Sequence, residues 1–261
     1  MAELTASGQT PDVLFWVGCA GSFDDRAKRI TKAIARILHA SETSFAVLGQ
    51  EESCTGDPAK RAGNEFLYQM QAAQNIATLN GYEIKRIITG CPHCFNVLKN
   101  EYPELGGNYE VLHHTQFIRE LIETGKLRMA DGAPFRGKRI TFHDPCYLGR
   151  GNGEYLAPRE IIQKLDAELL EMRRCKQNAM CCGAGGAQMF KEAENGNAEV
   201  NHERTNEALE NKPEVIATGC PFCNTMITDG VKNANQESEV EVKDIAELIA
   251  EAADLLDPSA S

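Results

Sequence analysis

Cys-Pro-x-Cys stands twice in this chain, as KRIITGCPHC over residues 85–94 and EVIATGCPFC over 214–223. Each copy closes a β-branched run that ends in Thr-Gly. The other thiols keep step with these pairs. Cys54 lies 37 residues before Cys91 and Cys182 lies 38 before Cys220, while Cys19 lies 35 before Cys54 and Cys146 lies 36 before Cys182. Cys19, Cys54, Cys91 and Cys94 therefore map onto Cys146, Cys182, Cys220 and Cys223 at offsets of 127 to 129 residues, and FIRELIE (117–123) answers DIAELIAE (244–251). Matched positions at so constant an offset mark an internal duplication. The chain has ten cysteines, and its first residues, MAELTASGQTPD, lack the basic and apolar regions of a secretory leader. In a reducing compartment such thiols bind metal or do redox chemistry more often than they form disulfides.

The elements that must position these thiols alternate between strand and helix. In the first half VLFWVG (13–18), SFAVLG (44–49), KRIITG (85–90) and YEVLHH (109–114) read as strands. Helical patterns cover 26–39 and 59–80, a short helix follows Cys94, and FIRELIE closes the half. The second half repeats this from RITFHDP (139–145) to ELIAEAADLL (247–256). Strands separated by helices of this length require crossover connections and parallel pairing. The fold class expected is α/β, two duplicated pseudo-symmetric halves, each a mainly parallel sheet flanked by helices. The halves are expected at 1–127 and 138–261, joined by a linker over 126–137 that contains ADGAPFRG. Every matched cysteine then falls after a strand, where parallel α/β sheets open their ligand crevice. Each set of thiols is expected to gather at a crevice of its own.

Composition sets the remaining bounds. Hydrophobic residues at 42% and charged residues at 25% are globular values, and no run approaches the roughly 20 apolar residues of a membrane helix. A net charge of −11 argues against nucleic acid as a partner. The location expected is cytoplasmic, with peripheral membrane attachment only through a partner subunit.

Cys146, Cys181, Cys182, Cys220 and Cys223 make a set of five. Zinc and a cubane cluster each take four ligands, so five thiols with an adjacent pair suit something larger or less regular. The glycines of CCGAGGAQ (181–188) let backbone N–H groups approach an inorganic cluster. These motifs resemble the cysteine-rich CCG domains found in a subunit of heterodisulfide reductase, in lactate utilisation protein A and in the glycolate oxidase iron–sulfur subunit. The resemblance covers residues 13 to 252 and implies a noncubane [4Fe–4S] cluster on Cys146, Cys181, Cys182, Cys220 and Cys223. The first half departs from the family pattern, reading Ser53-Cys54-Thr55 where CCG should stand. Its Cys19, Cys54, Cys91 and Cys94 match a cubane [4Fe–4S] cluster or a degenerate site.

Other residues carry weaker signals. Cys175 has no counterpart and is expected to be an unligated thiol. His143, three residues before Cys146, either tunes a cluster or is a strand-end hydrogen-bonding partner. His93 and the pair His113-His114 say less. GAGGAQ lacks the spacing of a dinucleotide loop, and a thioredoxin-type pair would not explain the other matched thiols. The resemblance implies an iron–sulfur electron-transfer subunit of an oxidoreductase complex, taking electrons from a flavoprotein or ferredoxin module toward a quinone path or a disulfide acceptor. The chain lacks a CxxCxxCxxxCP run, so a separate ferredoxin-like iron–sulfur subunit, membrane-bound or not, is the expected partner. Electrons are expected to enter at the Cys19 site. The alternative is a structural zinc-binding or assembly protein on the same fold.

Overall fold

Two four-stranded parallel sheets carry the chain in the computed structural model, which describes residues 1–130, 134–192 and 195–256. The first sheet holds β1 (Val13–Trp16), β2 (Phe45–Ala46), β3 (Arg86–Thr89) and β4 (Glu110–His113) in the order β2-β1-β3-β4. The second holds β5 (Arg139–Phe142), β6 (Glu168–Leu170), β7 (Val215–Thr218) and β8 (Glu241–Asp244) in the order β6-β5-β7-β8. The duplication read from the cysteines is thus carried by the topology. β1 and β7 are buried along their whole length, as parallel strands covered on both faces must be. The strand expected over 44–49 shrinks to two residues because Gly49 turns into the left-handed region at φ 62° and opens a 3-10 turn.

The Asp25–Ala40 helix starts where the Asp24 carboxylate accepts from the Arg26 and Ala27 backbone N–H groups at 3.0 and 2.8 Å. It buries Ala27, Ile30, Ala33, Ile34, Ile37 and Leu38, one face at helical spacing. The helix expected over 59–80 arrives as two, Asp57–Arg61 and Glu65–Gly81. Gly63 at φ 86° ends the first, and the Asn64 side chain caps the second by accepting from Leu67 N–H. The helix expected after Cys94 begins earlier, at Pro92, so Cys94 lies in its first turn. Cys91 and Cys220 cap the Pro92–Asn96 and Pro221–Asn233 helices. Proline suits that first position because it has no N–H to leave unpaired. His114–Glu123 and Ile245–Ala252 close the two halves, each through a capping box, His113 with Gln116 and Asp244 with Glu247.

One apolar core runs through both halves. Val13, Phe15, Ile34 and Ile37 share it with Phe142, Val215, Ile245 and Ile249. The Asp25–Ala40 helix packs on Ile245–Ala252, and His114–Glu123 packs on Leu156–Lys164, a reciprocal pair of contacts that gives the halves a pseudo-two-fold relation. Of the expected linker, Asp131–Ala133 lie outside the described residues, whereas Phe135 is fully buried in the shared core. Among the described residues no helix is long and apolar enough to cross a membrane.

Because the core is shared, loss at one point should be felt by both halves. Ile249→Ala is expected to cost about 2–5 kcal/mol and to move a single unfolding transition in urea, followed by far-UV circular dichroism. Two separated transitions would show that the halves unfold independently.

Candidate metal centre

Each strand of the two sheets delivers its thiol at the carboxyl edge. Cys19 sits in the Gly18–Phe23 helix directly after β1, and Cys146 in a turn after β5. Cys54 and the pair Cys181-Cys182 lie in irregular loops, while Cys91 and Cys220 follow β3 and β7. Thiol hydrogen bonds join Cys19 to Cys54 and Cys91 to Cys94. A second run passes from Cys146 through Cys181, Cys182 and Cys223 to Cys220. Cys220 then bonds Cys91. The sets therefore do not occupy two separate crevices, as the sequence suggested. They meet where the halves join, because the reciprocal helix packing turns the two carboxyl edges toward each other. Cys175 stands apart, beside Glu171 and Asp144.

The shared protons polarise the set. The Cys19 hydrogen bond draws Cys54 down to about 7, while Cys19 itself is pushed up by the same bond. Bonds from Cys220 and Cys94 hold Cys91 well below the ordinary thiol value, and those from Cys146 and Cys182 do the same for Cys181. Cys182, giving to Cys181, is pushed up to about 12. Three incipient thiolates, each backed by neighbouring thiols, form a soft, all-sulfur donor set suited to iron–sulfur or zinc chemistry.

Backbone supports this charge. Gly183 N–H donates to Cys181 Sγ at 3.3 Å, Gly185 also donates to Cys181, and Ala184 to Cys182. Gly183 can do so because it adopts φ 96°, and an added Cβ would stand 3.3 Å from Met226 Cε. Ser53, in the place of a family thiol, faces away from this role: its hydroxyl donates to Asn75 Oδ1 at 2.9 Å. Asn75, fully buried, also donates to the Cys54 carbonyl and the Tyr102 hydroxyl at 3.0 Å each. It anchors the loop that carries Cys54, a role no sequence spacing announced.

The histidines separate clearly. His143 is buried, accepts from Arg204 Nε at 3.0 Å on Nδ1, and lies with a ring nitrogen within 4.8 Å of the Cys182 and Cys223 sulfurs. Burial and then the Arg204 charge push its pKa down to about 3, so it is a neutral ring across the physiological range and not a group titrating near neutrality. His93 bonds Asp57 through Nδ1 at 2.9 Å; burial works against its charged form, yet that carboxylate holds it above the ordinary histidine value. His114 Nε2 lies 2.9 Å from Asp244 Oδ1, tying the halves together, and His113 caps the His114–Glu123 helix.

Two buried donors near the set have no hydrogen-bond partner among the described residues, Trp16 Nε1 and Arg204 Nη2. Trp16 packs in one cluster with Cys91 and Cys94, and Arg204 holds His143. A sulfide-bearing anionic group fits such donors better than a bare cation does. Two clefts open beside the first set. One of about 290 Å³ is lined by Cys19, Phe23, Phe190 and Phe222, and one of about 390 Å³ by Cys54, Pro58, Leu67 and Phe190.

The family model of the cysteine-rich CCG domain matches residues 13–99 and 140–228. The EtfAB:quinone oxidoreductase of Syntrophomonas wolfei is 44% identical over 255 residues, covering 95% of this chain and 35% of that protein. The probable iron-sulfur-binding oxidoreductase FadF of Bacillus subtilis is 44% identical over 251 residues, covering 96% of this chain and 35% of that protein. A subunit of the dihydromethanophenazine:CoB--CoM heterodisulfide reductase of Methanosarcina barkeri is 33% identical over 248 residues, covering 92% of this chain and 59% of that protein. The chain thus spans about a third of the length of the first two relatives.

Gly183→Ala tests how far the loop geometry carries the thiols. A side chain at that φ is expected to cost about 1–3 kcal/mol, measured by chemical denaturation. Alkylation of Cys181 in the metal-free protein should slow at the same time, because its thiolate loses a backbone donor. Unchanged stability and reactivity would show that the loop does not depend on the left-handed turn.

Proposed function

The chain belongs to the cysteine-rich CCG domain family, and we propose that it is an iron–sulfur electron-transfer part of an oxidoreductase complex. The observation that carries this reading is the continuous run of thiol contacts through both sets, closed by Cys91 against Cys220. In this reading the halves 1–127 and 138–261 each hold one [4Fe–4S] cluster. Cys19, Cys54, Cys91 and Cys94 hold the first, and Cys146, Cys181, Cys182, Cys220 and Cys223 hold the second, of noncubane type. Iron–sulfur clusters, when bound, take up and release single electrons at potentials set by charge, burial and hydrogen bonding.

The chain's own residues give each site its task. Ser53, engaged with Asn75, leaves the first set with four thiols. The glycine loop places three backbone N–H groups on Cys181 and Cys182. Cys91 and Cys220 bring the two sets into contact with no side chain between them, which makes the path between sites short. Phe23 and Phe190, exposed at the mouth of the cleft beside Cys19, form the face on which an electron-donor protein docks. The likeness to proteins named as an EtfAB:quinone oxidoreductase and as part of a heterodisulfide reductase suggests a flavoprotein or ferredoxin-like donor and a quinone path or disulfide as acceptor. The proposed location is the cytoplasm, at the membrane through a partner.

Anaerobic purification should give a brown protein absorbing broadly near about 400 nm, with iron and acid-labile sulfide in equal amounts. Cys182→Ser should lower the iron content by about half, one cluster of two, and Cys175→Ser should leave it unchanged. A colourless protein holding zinc and no sulfide would overturn the assignment, and equal iron loss from both variants would show that the ligands are misassigned.

A further inference from the structure

His143, Cys182 and Cys223 resemble three quarters of a zinc site, with one nitrogen and two sulfurs within 4.8 Å of one another. The second ring nitrogen rules this out. A metal-bound histidine gives its other N–H to an acceptor. Here Nδ1 faces the Arg204 guanidinium at 3.0 Å, and arginine only donates. Nδ1 is therefore unprotonated, and in the neutral ring the proton sits on Nε2. Binding a metal through Nε2 would require an imidazole stripped of both protons.

We infer that His143 is a hydrogen-bond donor to the sulfurs of the second-half site, and that it makes that site the higher-potential member of the pair. The inference rests on the iron–sulfur reading. A donor, backed by a cation, stabilises the more negative, reduced state of a sulfur-ligated group more than the oxidised one. Arg204 supplies the cation. It is fully buried, its Nη1 donates to the Arg174 carbonyl at 2.8 Å and to Glu207 at 3.2 Å, and its Nη2 has no partner among the described residues. Glu207 is shared with Arg174, whose Nε lies 2.8 Å away, so one carboxylate serves two guanidiniums and positive charge is left over. Asp144, next in sequence to His143, is neutralised by two bonds from Arg159 at 2.8 and 2.9 Å.

The first half has nothing equivalent. Strand register places Trp16 opposite Thr89 and Phe142 opposite Ala217, so that His143, one residue on, is the counterpart of Trp16. Trp16 offers an indole N–H from an apolar cluster that includes Leu14 and Leu98, with no cation behind it. The central strand of each half thus ends in a ring N–H, neutral in one site and arginine-backed in the other. Electrons should run from the first set to the second.

The test is redox-poised EPR on the intact protein with His143→Phe, which removes the donor, and His143→Gln, which keeps one. In His143→Phe the second signal should become at least tenfold harder to reduce, 59 mV lower for a one-electron couple, with the first signal unmoved and iron retained. His143→Gln should recover most of the shift. An unmoved second potential in His143→Phe overturns the inference and leaves the function standing. Loss of iron in both variants overturns it too, because it marks His143 as a ligand. Parent protein without iron and sulfide overturns the function, and this inference with it.

Discussion

The contact of Cys91 with Cys220 across the join fixes the rest of the arrangement. Each thiol caps a helix directly after a central strand, so the two can meet only if both sheets point their carboxyl ends at one place. The repeated Thr-Gly-Cys follows from that demand. Thr89 Oγ1 accepts from the Cys91 N–H at 3.3 Å, and Thr218 Oγ1 accepts from Asn224 at 3.1 Å, holding each turn at its strand end. Gly90 leaves no room for a side chain, since a Cβ there would lie 2.9 Å from Ile34 Cδ1. His114 and Asp244, at the starts of the two closing helices, pair at 2.9 Å beside the same join. A parallel sheet and a crossover helix are enough to bring three loops together; the doubled fold brings six.

Much of this was legible in the sequence. The duplication, the parallel α/β class, the order of strands and helices in each half and the co-location of thiols follow from spacing and β-branched runs, which are local properties. What was not legible is how one half sits on the other. That depends on the apolar faces of Asp25–Ala40 and His114–Glu123 finding partners more than a hundred residues away or across the join, and no periodicity encodes the match. For the same reason the sequence gives no sign of Asn75 and Arg204. An asparagine inside a helical pattern and an arginine in a polar stretch read as surface residues, yet both are fully buried and bonded to site loops. The break in the expected 59–80 helix was signalled by Gly63-Asn64 and overridden by the long helical pattern around it.

Duplication gives two sites of one shape, and the residues that differ between them fall at matched positions around the sulfurs. Cys-Pro-His-Cys in the first half answers Cys-Pro-Phe-Cys in the second, and both central residues cross the join. His93 stacks at 4.6 Å on Tyr147, the neighbour of Cys146, and meets Phe222 edge-on at 5.5 Å. Phe222 reaches the other way and lines the cleft beside Cys19. Each half therefore supplies part of the surroundings of the other's site, polar toward the five-thiol set and apolar toward the four-thiol set. The polar residue is not loose: Asp57 holds His93 at 2.9 Å and is itself bonded by Arg61 at 3.0 Å, which also pairs with Glu101. A buried chain of this kind is stable only when each member is satisfied, and here most of its members come from the half that does not carry the site they serve. Exchange of residues across the join explains why the two halves cannot drift apart in structure while their sites drift apart in chemistry. The shared scaffold sets where the thiols stand, and the crossing side chains set what surrounds them.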